Sequence, residues 1–193
     1  GPVLCGGPAT TCNGSGLGNG VEAYRSLILL NGFVSGFGGW GVIAEDGGHI
    51  EALTIRSNAG GGVRMGAGSV FRSTIEGNGG DGVQSHLGAV IRDNTISFNK
   101  TSGVWCRRCS VQGNVIEGSR GDGVRIAFDS ATILGNTIEG SAGFGLNVDG
   151  ASSVGYGSNV IEPSIYGGGT VFVGSGSAVE VSPNVCDGDA TCP

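Results

Sequence analysis

Two aspartates in this chain stand in one and the same tetrapeptide, Gly-Asp-Gly-Val, at Asp81 and Asp122. Paired carboxylates do general acid and base work at glycosidic bonds, where an inverting hydrolase holds them ~6.5–9.5 Å apart. The acid of such a pair needs a raised pKa, and nothing around either residue suggests burial. The competing reading is that Asp beside Gly makes a good corner. His86 is a spare candidate base, with no Ser or Cys partner at a recognisable spacing. A more suggestive set is Arg64, Gln84, Trp105, Arg125 and Asn147, each directly following an aliphatic residue that follows a glycine. A Trp flanked by Arg and amides can stack on a sugar ring and pair with uronate or sulfate, and Arg107 and Arg108 lie close by. Its rival is a scatter of surface residues, with Trp105 covering the loop between Cys106 and Cys109.

Six cysteines fall into the local pairs Cys5 with Cys12, Cys106 with Cys109 and Cys186 with Cys192. Close, even pairing in Gly-rich loops reads as disulfide bonding in an oxidising compartment, hence a secreted or cell-surface protein, extracellular or periplasmic. Cys106-Arg107-Arg108-Cys109 has arginines that would lower a thiolate pKa. Redox motifs of this spacing generally open a helix, and none is predicted, so a structural corner bridge is expected. Zinc would need two more ligands, and His49 and His86 lie about three and one repeats away, so no metal site is expected. Glu117, Glu139 and Glu162 form an acidic stripe with Glu76 further back. It reads as a solvated face, with Ca²⁺ as the one cofactor its carboxylates could take.

These residues sit in a repeat of 20 to 23 residues, which decides the architecture. A glycine-plus-aliphatic pair ends at Val42, Val63, Val83, Val104, Val124 and Leu146. A mid-unit aliphatic falls at Val34, Ile55, Ile75, Ile96, Ile116, Ile138 and Ile161, and a third apolar position at Ile50, Val70, Val90, Val111, Ile133 and Val154. Each stretch is short and alternates with period two, which is strand patterning with one face buried. Three strands per unit with directional separators predict a single-stranded parallel β-helix of about seven turns, capped at both ends. Residues 1–19 read as an N-terminal cap, 20–181 as the β-helix and 182–193 as a disulfide-closed tail. Asn94, Asn114, Asn136 and Asn159 recur at one position, and Asn58, Asn78 and Asn99 at another. Stacked amides can hydrogen-bond along a rod, and Asn also tolerates left-handed corners. The recurring glycine marks a corner where φ is positive or space is short.

The chain has 193 residues, 42 of them Gly, 13% charged residues, a net charge of −6 and a pI near 4.7. That acidity argues against nucleic acid as a partner. No apolar run approaches the ~20 residues of a membrane span. No signal peptide is visible, and the opening Gly1-Pro2 resembles the scar of a removed tag.

The units GNTIEGSAGFGL and DNTISFNKTSGV resemble the right-handed β-helix repeats of the pectin-lyase-like superfamily, including its NosD-like members. The resemblance covers residues 20–181 and implies an all-β, right-handed solenoid. It leaves activity open, because that fold hosts lyases, hydrolases, epimerases, tailspikes and adhesins. The catalytic signatures of those enzymes are missing. There is no WIDH-like or Arg-x-Pro-x-x-Arg segment, no Gly-His-Gly and no Asp-Pro-His, and Arg125-Ile126-Ala127 stands where polygalacturonases have Arg-Ile-Lys. The expectation is a secreted, non-catalytic, structural or adhesive module that holds polysaccharide or a cell-surface partner along the Trp105 and Arg125 face. The alternative is a polysaccharide lyase or glycoside hydrolase with an atypical site near Asp81, Asp122, His86 and Arg125. The sequence sets no oligomeric state.

Overall fold

The computed structural model describes residues 11–13, 17–150, 153–187 and 192. The expected Cys5–Cys12 pair and most of the expected N-terminal cap lie outside the described residues. Each repeat folds as one turn with three faces. The first face carries Val21–Ala23, Val42–Ala44, the starts of Val63–Phe71 and Val83–Arg92, Val104–Cys106, Val124–Ala127, Leu146–Asp149 and Val171–Val173. The third carries short strands such as Thr95–Ser97, Val115–Glu117 and Thr137–Glu139, and the second lies between them. Every pairing is parallel and joins equivalent residues one turn apart: Val104 pairs Val83 and Val124, and Ile116 pairs Ile96 and Ile138. Among the described residues the first face has eight strands, so the rod has about eight turns rather than the expected seven. The extra turn comes from the stretched unit in which Leu146 pairs Val171 and Ile161 pairs Cys186.

Alternation along each strand puts one side chain of two inside, and stacking in register makes the interior a set of aliphatic columns. Ile55, Ile75, Ile96, Ile116, Ile138 and Ile161 are all fully buried in one such column. On the second face the column runs through Ile91 and not Val90, which is exposed. The cause is a register shift between Val63–Phe71 and Val83–Arg92: Met65 pairs Ser85, but Ala67 pairs Gly88. One extra residue bulges out at His86–Leu87 and slips the following side chains by one, which exchanges inside for outside. At the far end Ile133 is continued by Tyr156, with Val154 also buried.

Two polar columns run inside the corners. Asn94 Nδ2 donates to Asn114 Oδ1, Asn114 to Asn136, Asn136 to Asn159 and Asn159 to Asn184, all at 2.9–3.0 Å. Each amide oxygen also accepts the backbone N–H of the Asn below it. Asn58, Asn78 and Asn99 form the second ladder. These asparagines are not the left-handed residues. That geometry belongs to the residue in front of the first ladder, Asp93, Gly113, Gly135 and Ser158, with φ of 57°, 62°, 65° and 55°. The first ladder ends on a carboxylate, because Glu180 Oε1 accepts both the N–H and the Nδ2 of Asn184.

Candidate functional site

Arg64, Gln84, Trp105, Arg125 and Asn147 come together in the register that their spacing predicts. Arg64 pairs Gln84, Gln84 pairs Trp105, Trp105 pairs Arg125 and Arg125 pairs Asn147 in unbroken register, and Phe172 follows Asn147. Their flanking residues on the strand are buried, so these side chains point outward as a ribbon with rungs ~4.8 Å apart. Each of the five is half-buried.

The ribbon centres on Trp105. The His86 ring lies against it with centroids 5.1 Å apart, and the Arg107 guanidinium carbon stands 5.8 Å from its centroid. Arg107 also lies 4.9 Å from the centre of the Phe128 ring. Two local features build this cluster. The bulge at His86–Leu87 turns His86 out of the strand, a common use of bulges. The Cys106–Cys109 bridge, with Cα atoms 6.2 Å apart, ties the corner that carries Arg107. Both cysteines are buried against the core, and no helix follows them. Phe128 escapes sequence reasoning because it lies just past Val124–Ala127, in a left-handed turn with φ 65° and outside the repeat pattern.

Charge on the ribbon is partly matched. Arg64 pairs Glu45 at 3.3 Å and Arg125 pairs Asp149 at 3.4 Å. Arg107 has no carboxylate within ion-pair distance among the described residues. The Nε atoms of Arg64, Arg107 and Arg125 and Oδ1 of Asn147 are shielded and have no hydrogen-bond partner.

Asp81 and Asp122 are placed as corner residues. Asp81 Oδ1 accepts the N–H of Ser102 at 2.9 Å and the hydroxyl of Thr101. Asp122 is buried, contrary to expectation; Oδ1 accepts the N–H of Phe144 at 2.8 Å and Oδ2 accepts Asn147 Nδ2 at 2.9 Å. Asn19 does the same for Trp40, one residue before the corner glycine in each case. The shared chemistry is a side-chain oxygen holding the next turn's backbone N–H. Among the described residues no three of His, Cys, Asp and Glu come together to hold a metal ion. No helix there is long and apolar enough to cross a membrane.

Desolvation, reinforced by the positive charges of Arg64 and Arg107, pushes the His86 pKa down, with Glu45 acting weakly the other way. The unfolded chain, with an ordinary value of about 6.5, then takes up this proton more readily. Stability present above the unfolded pKa is lost as pH falls toward the folded one. Acidification from about pH 7 to about pH 5 should lower the melting temperature of the wild type more than that of His86→Gln. Equal slopes for the two proteins would show that His86 is not desolvated.

A family model described as a right handed beta helix region matches residues 38–186. No curated protein matches the sequence. Among solved structures the chain is similar to a mutant of the periplasmic alginate epimerase AlgG, at 15% identity and a TM-score of 0.77, over 87% of this chain and 47% of that one. AlgG without mutation is similar at 15% identity and a TM-score of 0.63, over 89% of this chain and 45% of that one. ORF18 of Geobacillus virus E2 is similar at 10% identity and a TM-score of 0.50, over 92% and 41%. The chain thus spans about half the length of the epimerase it matches, and the likeness is one of fold. The repeat, the parallel register and the family match agree, and the chain belongs to the right handed beta helix family.

Proposed function

We propose that this chain is a non-catalytic, extracytoplasmic rod that holds an acidic polysaccharide along the Trp105 ribbon. The observation that carries this reading is the Trp105 ring, set between His86 and Arg107 and in register with Gln84 and Arg125. An aromatic face with a cation at its edge offers stacking to the apolar side of a sugar and charge to its carboxylate. Phe172 stands three rungs beyond Trp105 on the same line, ~14 Å away at the spacing of stacked strands, and would add a second stacking point. The bonded pairs Cys106–Cys109 and Cys186–Cys192 support an oxidising compartment. Likeness to a periplasmic alginate epimerase supports both the compartment and a polysaccharide ligand.

The competing reading, a lyase or hydrolase, draws on one feature, a His86 whose pKa is lowered by desolvation and by Arg64 and Arg107, as suits a base. The carboxylates that would complete such a site are engaged with backbone N–H groups at Asp81 and Asp122. A glycan array with oligouronates and sulfated glycans separates the two. The wild type should retain acidic glycans without change, and Trp105→Ala should lose about tenfold or more in affinity, the scale of a stacking contact plus its cation. Unsaturated or shortened oligouronates among the recovered ligands would establish an enzyme instead.

A further inference from the structure

A groove of about 1050 Å³ runs along the corner after the third face, away from the Trp105 ribbon. Its floor is Gly118 and Gly140, its ends are Phe98 on one side and Ile165 with Tyr166 on the other, and Glu117, Glu139 and Glu162 line its length against a single basic side chain, Arg120. We infer that this groove binds a chain of positively charged amino sugars.

Phe98 is the first reason. It is 62% exposed and takes a left-handed φ of 54°. Gly77, Gly118 and Gly140 occupy the same corner on neighbouring turns with φ of 61–62°. A bulky residue in this conformation costs about 1–3 kcal/mol, and where three neighbouring turns use glycine and a fourth the smaller Ser57, with φ 55°, Phe98 sets a large exposed ring. Its ring lies over the Cα of Gly118, where an added Cβ would come within 2.5 Å of it. Tyr166, 80% exposed, presents a second ring at the other end.

The carboxylates are the second reason. Glu117 and Glu139 are register partners, and Glu162, whose N–H bonds to Ile138, stands on the next rung. Like charges on adjacent parallel strands repel, and among the described residues none of the three is in an ion pair.

The spacing selects the occupant. Carboxylates recur every ~4.8 Å along the groove, whereas side chains on one face of an extended peptide recur every ~6.8 Å. An extended sugar chain advances by close to one rung per residue and brings one ring and one amine with each step. Its rings suit Phe98 and Tyr166, and its ammonium groups suit the glutamates. A metal ion fits less well, since no three of these carboxylates converge.

The test is calorimetric titration of the whole protein with a glucosamine trimer, below neutral pH so that its amines are charged. The same titration is run with the N-acetylated trimer and with tetralysine. The glucosamine trimer should bind and the acetylated one should not. Glu139→Gln should weaken binding about threefold and Glu117→Gln with Glu139→Gln about tenfold, as expected for exposed ion pairs. Phe98→Gly should weaken binding while raising the melting temperature, a split that a purely structural role would not give. Trp105→Ala should leave this binding unchanged, which keeps the result separate from the ribbon. No binding of the glucosamine trimer, equal binding of the acetylated trimer, tighter binding of tetralysine or indifference to the double substitution would each overturn the inference.

Discussion

Asn114→Ala should lower the free energy of unfolding by about 4 kcal/mol, because it strands several buried groups that each cost about 1–3 kcal/mol when unsatisfied. The Asn114 amide donates to Ile91 O, Gln112 O and Asn136 Oδ1 at 2.9, 3.0 and 2.9 Å. Its oxygen accepts both the N–H and the Nδ2 of Asn94. The side chain is 1% exposed, so the groups it leaves behind lie away from bulk solvent. A solenoid has only nearest-neighbour coupling, so the damage is expected to show first as local opening of the turns on either side. Denaturant unfolding with amide exchange checks both parts. Gln112→Ala, on the adjacent half-buried position, serves as control and should stay within about 0.5 kcal/mol. A loss below about 1 kcal/mol for Asn114→Ala would mean that the ladder is ornamental to stability.

Gly103→Val should be as damaging, for a different reason. A Cβ at this corner would lie 2.7 Å from the carbonyl oxygen of Gly123 and closer still to Ile116 Cγ2. The same obstruction recurs one turn away at Gly82, where Ile96 Cγ2 and the Gly103 oxygen are 2.5 and 2.6 Å from the added atom. Both neighbours are fixed, one as backbone and one as a fully buried core side chain, so the chain must separate to admit a branched residue. A cost of about 3 kcal/mol or more follows from overpacking of this kind. Gly135 makes the useful contrast: φ is 65° and an added Cβ meets nothing within 4 Å. Gly135→Asn, which tolerates that conformation, should cost less than about 1 kcal/mol. Thermal unfolding of the two variants side by side tests whether space or backbone conformation governs each corner. Similar losses would contradict the distinction.

These two cases also show what the sequence made legible. Repetition exposes inward and outward positions, because every turn repeats the same argument, and the outward register from Arg64 to Asn147 follows directly. The two readings of the corner glycine, positive φ or scarce space, resolve to space at Gly103 and its equivalents. For asparagine the ladder reading stands, but the left-handed geometry belongs to the residue before it. Asn184 extends the ladder unseen, since the aliphatic that marks the other rungs two residues later is here Cys186. The bulge at His86–Leu87 was hidden because a single inserted residue lies within the natural variation of the repeat length. It is this insertion that exposes Val90 and sets His86 against Trp105. Burial of Asp122 was equally invisible, as it depends on Asn147 and Phe144 arriving from the following turn.

The ribbon itself can be observed through its own tryptophan. The chain has two, and Trp40 lies over Gly61, well away from the ribbon's centre. In a Trp40→Phe background, fluorescence then reports Trp105 alone during titration with an oligouronate. The account predicts a saturable change in emission that weakens as salt screens the arginines. Emission that stays flat through the titration would contradict the proposal that an acidic polysaccharide lies across Trp105.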